Sequence, residues 1–538
     1  MFDHRPTPCK RNLLWLGLIF LFNTTLASEV GRTADKLDES LVSFQDSQPV
    51  FVRMEDQLLK QAGDYAAFCL ENDLKPRSEV RKQVLQTLKT KAEDSWARIK
   101  DKLSALEAKG QVKEMARFWI VNGFACEATS AACRALAEDP AVSFVYKQLG
   151  PKNLRQHGPA TRMQGGGAMS AVEQKAALEQ LLKHSSDDSG EPFNTNGLEI
   201  PWNLSRIQAD LVWEKEGVTG KGAVVAINDG GIVDIPALWP ALWRNSSEQM
   251  NDRDDDGNGF MDDVLGHDFE SQSNFVLDPG SMNHGTICAG IIAGRPVPGN
   301  ALVTGVAPRA KLMILKGMGY LKAYEYALSN GADVFSMSYM WVNMDLGQYR
   351  GVFRAAAEHL SVAGILPVGG AGNFAKTAPE GKQICLPKDI PCVVAVAGIL
   401  EDGRRPEFSS KGPCTWTGVR FYDDYPATKP LCKPDLCAPA GGFPCWTKMI
   451  PNQSQAQWTV LWSQGILVNG PQGNSFAGPH AAGVAALIFS ANPELNAWQV
   501  KRIMEETSKR LESTAPDYQH GAGLLQALAA VRAARKAK

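Results

Sequence analysis

Four polar residues stand where a turn meets an apolar run, and together they could do acyl chemistry: Asp229, His284, Asn373 and Ser475. Ser475 follows Gly473-Asn474 and opens the small-residue run Phe476-Ala477-Gly478-Pro479-His480, which continues as a helix-compatible apolar stretch to about Ala491. A serine at a helix N-terminus sits beside unpaired N–H groups and the positive end of the helix dipole, where an oxyanion is stabilised. His284 opens a second such run, Gly285-Thr286-Ile287-Cys288-Ala289-Gly290, and Asp229 ends the apolar run Ala223 to Asn228. Hydrolysis of an unactivated acyl bond by serine needs a base, a carboxylate that orients it, and donors for the oxyanion. Taken singly, each residue reads as an ordinary cap or turn; their succession carries the chemistry.

A second cluster suggests a cation. Asp252, Asp254 and Asp256 alternate before Gly257 and are followed by Asn258, Asp262 and Asp263, close to the D-x-D-x-D-G calcium loop but ending in Asp rather than Glu. Alternate oxygen ligands can wrap a hard ion while the glycine makes the sharp turn. The expected ligands are Asp252, Asp254, Asp256, Asn258 and Asp263, and the expected ion is a structural Ca2+. A solvated acidic loop is the plainer alternative.

The elements that must position these residues read as α/β. Ala223–Asn228, Leu312–Leu315, Val334–Ser338, Ile365–Val368 and Val393–Val396 are mostly continuous apolar runs, as expected of strands buried on both faces of a parallel sheet. Helical segments lie between them, notably Tyr320–Asn330 and Gly351–Ala363. The expected fold is a doubly wound, mainly parallel sheet, whose ligands bind beyond the C-terminal strand ends. Upstream, Val80, Val84, Leu88, Ala92, Trp96, Ile99, Leu103 and Leu106 mark one face of a long helix. Phe118–Val121 reads as a buried strand, Thr129–Ala137 as a capped helix and Val142–Tyr146 as another strand, making a small α/β unit. From Leu149 to about Asn196, Gly165-Gly166-Gly167 and Ser185-Ser186-Asp187-Asp188-Ser189-Gly190 mark a polar linker with a short helix between Ala171 and Leu182.

A chain of 538 residues with net charge -2 has room for more than one domain and no polyelectrolyte character, which disfavours nucleic acid as a partner. Arg5, Lys10 and Arg11 precede an apolar run from Leu13 to Phe22, then Thr24–Ser28, the pattern of a secretory signal peptide cleaved near Ala27. That run falls short of the ~20 residues of a membrane span, and no later stretch is long enough. Export makes disulfides the expectation for the close spacings Cys126/Cys133 and Cys385/Cys392 and for the group Cys414, Cys432, Cys437 and Cys445.

In order, Asp229-Gly230-Gly231-Ile232, His284-Gly285-Thr286, Ala371-Gly372-Asn373 and Gly473-Asn474-Ser475-Phe476-Ala477-Gly478-Pro479-His480 resemble the signature blocks of the subtilisin-like serine peptidases. The likeness extends to Gly305–Ala310, Asn330–Val334, Phe408–Pro413, Lys433–Leu436 and His520–Gly523, so it runs from about Trp202 nearly to the C-terminus. Phe118–Asn122 and Arg134–Pro140 resemble the propeptide of the bacillopeptidase F-like branch. The resemblance implies Ser475 as nucleophile, His284 as general base and then acid, Asp229 as its orienting carboxylate, and Asn373 as oxyanion donor beside the Ser475 N–H. It also implies substrate-lining segments at Ser338, Tyr339 and Met340 and at Gly370, Ala371 and Gly372. Calcium is often bound as a structural ion by such proteins.

The expected organisation is a signal peptide over 1–27, a propeptide or inhibitor-like domain over 28–148, a linker over 149–198 and the peptidase domain over 199–538. The expected protein is extracellular or periplasmic, acts on protein or peptide substrates and is inhibited by its own propeptide. Three departures stand out: Asn474 for the usual threonine, Gly230 where a polar residue is common, and Ile287 for a second histidine. The bulky Tyr339-Met340-Trp341 replaces a small Leu-Gly-Gly type of segment, which favours a competing expectation, a catalytically silent binding protein on the same fold. A lipase-type G-x-S-x-G is excluded by Ala477 and by the chain order.

Overall fold

The computed structural model describes residues 35–149, 169–185, 193–278, 283–342, 344–447, 459–462, 467–511 and 517–537. The signal-peptide segment, the glycine run 165–167 and the stretch 186–190 fall outside them.

The N-terminal unit is a four-stranded antiparallel sheet carrying helices. Its strands are β1 (Gln48–Met54), β2 (Val112–Phe118), β3 (Gly123–Ala128) and β4 (Val142–Lys147), in the order β2-β3-β1-β4. The helix Arg77–Ala108 buries Val80, Val84, Leu88, Ala92, Ile99, Leu103 and Leu106 as its three-and-four spacing requires, with Trp96 at the edge of the face. Thr129 caps the helix Ser130–Ala137 by accepting from the Ala132 N–H at 3.3 Å.

One segment differs from expectation. Phe118 ends β2, and Trp119–Asn122 form the tight connection to β3 rather than a strand. Ile120 and Val121 are buried because this hairpin tip docks on the second unit. Glu325 accepts from the Trp119 N–H and, at 3.1 Å, from the Ile120 N–H. Burial by docking leaves the same apolar signature as burial in a sheet.

The same interface holds the neutral imidazole of His359, which donates from Nδ1 to Ile120 O at 2.5 Å and accepts at Nε2 from the Leu59 N–H at 3.1 Å. Burial depresses its pKa to about 4. Arg77, at the start of the long helix, pairs with Asp333 at 2.7 Å, and Asp333 also accepts from the Val224 N–H at 2.8 Å. The N-terminal unit is thereby anchored at the foot of the strand that leads to Asp229.

The second unit is built on a parallel sheet of seven strands: β5 (Val224–Asp229), β6 (Gly266–Asp268), β7 (Lys311–Lys316), β8 (Val334–Met337), β9 (Leu366–Gly370), β10 (Val394–Ile399) and β11 (Leu436–Pro439). Their order, β11-β10-β9-β8-β5-β7-β6, reverses direction around β5, so this is a doubly wound α/β sheet. Helices Leu321–Ser329 and Arg350–Val362 pack in one core cluster that includes the N-terminal unit's hairpin tip. Helices His284–Ala293 and Asn474–Ala491 pack in the cluster on the other face. The expected short linker helix is present as Ala171–His184, held by a Ser170–Glu173 capping box. Among the described residues no helix is long and apolar enough to cross a membrane.

The cysteines correct an expectation, because none of the ten in the described residues forms a disulfide. Cys126 and Cys133 share one core cluster as free thiols, and burial raises Cys133 to about 12. Cys385, Cys414 and Cys445 point their thiols at the backbone oxygens of Lys382, Ile384 and Phe443. Cys126, Cys133, Cys392, Cys414, Cys437 and Cys445 are buried, where a thiol packs as a small hydrophobe, while Cys385 and Cys432 are half-buried.

Candidate active site

Asp229 is the last residue of β5, and His284 is the first of the helix His284–Ala293. The Asp229 carboxylate meets His284 Nδ1 with both oxygens, at 2.9 and 3.0 Å, and also accepts from the Gly230 N–H at 2.8 Å. Asp229 is buried while the imidazole stays partly exposed. Burial alone would raise the carboxyl, but the His284 charge and these hydrogen bonds outweigh it and hold Asp229 below its usual value. The same carboxylate overrides the effect of burial on His284 and holds it well above the ordinary imidazole range. Carboxylate and Nδ1–H, with an Nε2 that has no partner among the described residues, form an oriented base.

Ser475 lies in the first turn of the helix Asn474–Ala491, after Gly473. Pro479, four residues on, has no N–H to give to the Ser475 carbonyl. That oxygen is taken instead by Ser338 Oγ at 2.9 Å and Cys288 Sγ at 3.6 Å. Ser475 Oγ in turn donates to Ser338 O at 3.5 Å. Among the described residues it makes no hydrogen bond to His284, so the hydroxyl has to turn toward Nε2 before a proton can pass.

Asn373 is exposed, and its Oδ1 accepts from the Asn474 N–H at 2.8 Å. This fixes the amide and leaves Nδ2 without a protein acceptor among the described residues. The buried Asn474 side chain completes the clasp, donating from Nδ2 to Gly372 O at 2.7 Å and to Ser409 Oγ at 3.0 Å. Ser410 Oγ accepts from the Phe374 N–H at 3.0 Å. The departure at Asn474 is therefore a lock between the serine turn and the segment carrying Asn373.

The structure thus brings Asp229, His284, Asn373 and Ser475 together, with Ser338 and Gly370–Gly372 alongside. Met340 packs with Ala371, Ile384, Ala395 and Cys414. Trp341 packs on Phe353 with ring centres 4.6 Å apart and lies against Gly319. Of this segment Trp341 goes into the core, while Tyr339 and Met340 are half-buried. Nothing in the sequence alone marks a role for Cys288, Ser409 or Ser410. The serines stand in the block Phe408–Pro413, whose likeness to the family was visible although their function was not.

The acidic loop is assembled differently from its spacing. Asp252 is exposed, has a left-handed backbone (φ 60°) and pairs with Lys175 at 2.7 Å, turned out of the cluster. Glu248, outside the motif, takes its place: single oxygens of Glu248, Asp254 and Asp256 lie within 4.8 Å of one another. Asn258 Nδ2 donates to Asp256 and Asp263 rather than offering an oxygen there. Burial and then neighbouring carboxylate charge raise both Glu248 and Asp263, and among the described residues buried Glu248 Oε2 has no hydrogen-bond partner. An orphaned acid oxygen facing like charges is what a hard cation would satisfy, so Glu248, Asp254 and Asp256 fit such an ion, with Asp263 linked to Asp256 through Asn245 and Asn258, and Asp252 does not.

The Asp229–His284 pair has a consequence readable by NMR. Imidazolium is stabilised in the folded protein, so this contribution to stability is complete below the unfolded-state pKa of ~6.5 and is lost as pH rises through the higher folded value. Asp229→Asn is expected to bring the His284 ring titration down to lower pH. An unchanged midpoint would mean that the carboxylate does not control the imidazole.

A profile of the Subtilase family matches residues 220–523. Bacillopeptidase F of Bacillus subtilis is 26% identical over 490 residues, covering 85% of this chain and 29% of that protein. The calcium-dependent protease of Trichormus variabilis is 27% identical over 379 residues, 65% of this chain and 50% of its own length. Subtilisin DY of Bacillus licheniformis is 27% identical over 351 residues, 62% of this chain and 99% of its own. The chain thus spans half or less of the first two relatives. The crystal structure of fervidolysin from Fervidobacterium pennivorans, described as a keratinolytic enzyme related to subtilisin, superposes with a TM-score of 0.51 at 17% identity, over 91% of this chain and 62% of that one. That likeness concerns the fold. With the family profile spanning more than half of its length and the doubly wound sheet in place, the chain belongs to the Subtilase family.

Proposed function

We propose that this subtilase is a secreted serine endopeptidase, made as a zymogen, that hydrolyses peptide bonds of protein substrates through an acyl-enzyme on Ser475. The observation that carries the reading is the two-oxygen hold of Asp229 on His284 Nδ1 beside a serine at a helix N-terminus. With the imidazole in its neutral form, His284 Nε2 takes the Ser475 proton as Oγ attacks the scissile carbonyl. The oxyanion so formed accepts from the Ser475 N–H and Asn373 Nδ2. His284 then returns the proton to the leaving amine, and water attacks the ester by the same route in reverse.

Residues 28–148 act in this reading as propeptide and inhibitor, and 149–198 as the linker that is cut. In support, the N-terminal unit is held to the peptidase domain (199–538) through Glu325, His359 and Asp333. The run Leu13–Phe22 before Ala27 supports export of the chain. Calcium is proposed as a structural ion at Glu248, Asp254 and Asp256, with Asp263 linked to them; it would supply charge neutralisation in the loop and no step of the reaction. The name of the Trichormus relative, a calcium-dependent protease, supports this.

The competing reading, a silent member of the fold, is favoured by the Ser475–Ser338 hydrogen bond in place of Ser475–His284. A fluorophosphonate probe separates the two. Labelling of the secreted protein at Ser475, lost in Ser475→Ala and accompanied by a new N-terminus within 149–198, is the expected result. A processed protein that takes no label would favour the silent reading.

For calcium, the midpoint of thermal unfolding is expected to rise with calcium relative to excess chelator, by less in Glu248→Gln than in the parent. Coincident midpoints with and without calcium would remove the ion from the account.

A further inference from the structure

Lys388 is completely buried beside the two segments that meet at Ser475, and it has no part in the proton transfers at Ser475 and His284. It follows Pro387 in the connection between β9 and β10. Its Nζ donates to Tyr339 O at 2.6 Å and lies 5.1 Å from the centre of the Tyr339 ring. On the other side a Cβ on Gly369 would stand 2.1 Å from Lys388 Cε and 2.9 Å from Nζ, so the strand makes room there for the lysine stem.

Both contacts lead straight to the serine. Tyr339 follows Ser338, whose carbonyl accepts Ser475 Oγ. Gly369 precedes Gly370, where a Cβ would be 2.0 Å from Asn474 O and 2.9 Å from Ser475 N. Nζ is therefore held between the neighbours of the two residues that touch the serine turn.

Among the described residues no carboxylate pairs with Lys388. Its chain neighbour Asp389 is paired with Arg350 at 2.8 Å, and Asp229 holds His284. One protein oxygen and one ring face serve a group with three donors. Isolating a charge in this way is costly. Burial, only partly offset by the more distant Asp389 and Asp229 carboxylates, pushes Lys388 down to about 7. An apolar side chain of similar length would fill the space without that cost, so an ammonium kept there points to a ligand that completes its shell.

We propose that Lys388 is a specificity-determining residue that selects Asp or Glu at the substrate position whose carbonyl Ser475 attacks. This rests on the reading of Ser475 as nucleophile. The substrate carboxylate occupies the unused donors of Nζ and forms the missing ion pair out of water, where such pairs are strong. A basic side chain at the same position meets a like charge and is rejected.

The test measures kcat/KM for the processed enzyme on matched peptides carrying Glu, Asp, Leu, Ala or Lys before the scissile bond, alongside fluorophosphonate labelling. Glu or Asp is expected to exceed Leu by about tenfold or more, since buried polar groups discriminate strongly against partners that leave them unpaired. In Lys388→Met that advantage is expected to disappear. A labelled, active enzyme that prefers Leu or Lys overturns the assignment of Lys388 and leaves the nucleophile standing. A preference for Ala with Glu and Asp refused also overturns it, by making the lysine a plug. A protein that neither labels nor cleaves overturns both. If Lys388→Met fails to fold, the parent's own profile still decides.

Discussion

The backbones of β9 and of the turn before Ser475 approach so closely that no side chain fits between them. A Cβ on Gly370 would lie 2.0 Å from Asn474 O. The same holds across the site, where a Cβ on Gly285 would lie 2.2 Å from Gly231 O and 3.3 Å from Asp229 Cβ. Side chains at these points would spread three elements that carry Asp229, His284 and Ser475, and misplacement by an ångström is enough to disable positioned chemistry. With the backbones in contact, short polar groups can finish the arrangement. Asn373 and Asn474 bind across the gap, and Ser338 takes the carbonyl that Pro479 leaves without a helical donor.

Buried charge is distributed unevenly around this framework. Asp229 and His284 compensate each other, so each stays in its charged form over a wider range than either would alone. At the acidic loop, Glu248 and Asp263 are raised by burial and by neighbouring carboxylates, and the imbalance points outward to a cation. Lys388 is the reverse case, a cation whose compensation points to an acid. Charge left unbalanced by the protein marks the places where it meets something else.

Much of this was legible in the sequence, for physical reasons. Strands buried on both faces are continuous apolar runs, so β5, β7, β8, β9 and β10 were visible, and the residues at their ends followed. The helix Arg77–Ala108 announced itself by its period. What failed were inferences in which local sequence underdetermines tertiary surroundings. Phe118–Val121 is apolar because a hairpin tip is docked, and the cysteine spacings reflect core packing rather than bonds. Asp252 has the right spacing for a loop ligand but a backbone and a Lys175 partner that turn it outward, while Glu248 arrives from outside the motif. Lys388 sits in an unremarkable Leu-Pro-Lys-Asp stretch, and only the fold reveals that no carboxylate among the described residues pairs with it.

The central claim is that the amide held in place by Asn474 stabilises charge in the transition state and not the bound ground state. Steady-state kinetics of Asn373→Ala on a peptide substrate measure this most directly. A fall in kcat of about 10²–10³ is expected, as for loss of one oxyanion donor, with KM little changed. A variant that keeps the parental kcat, or one whose loss lies wholly in KM, would contradict it.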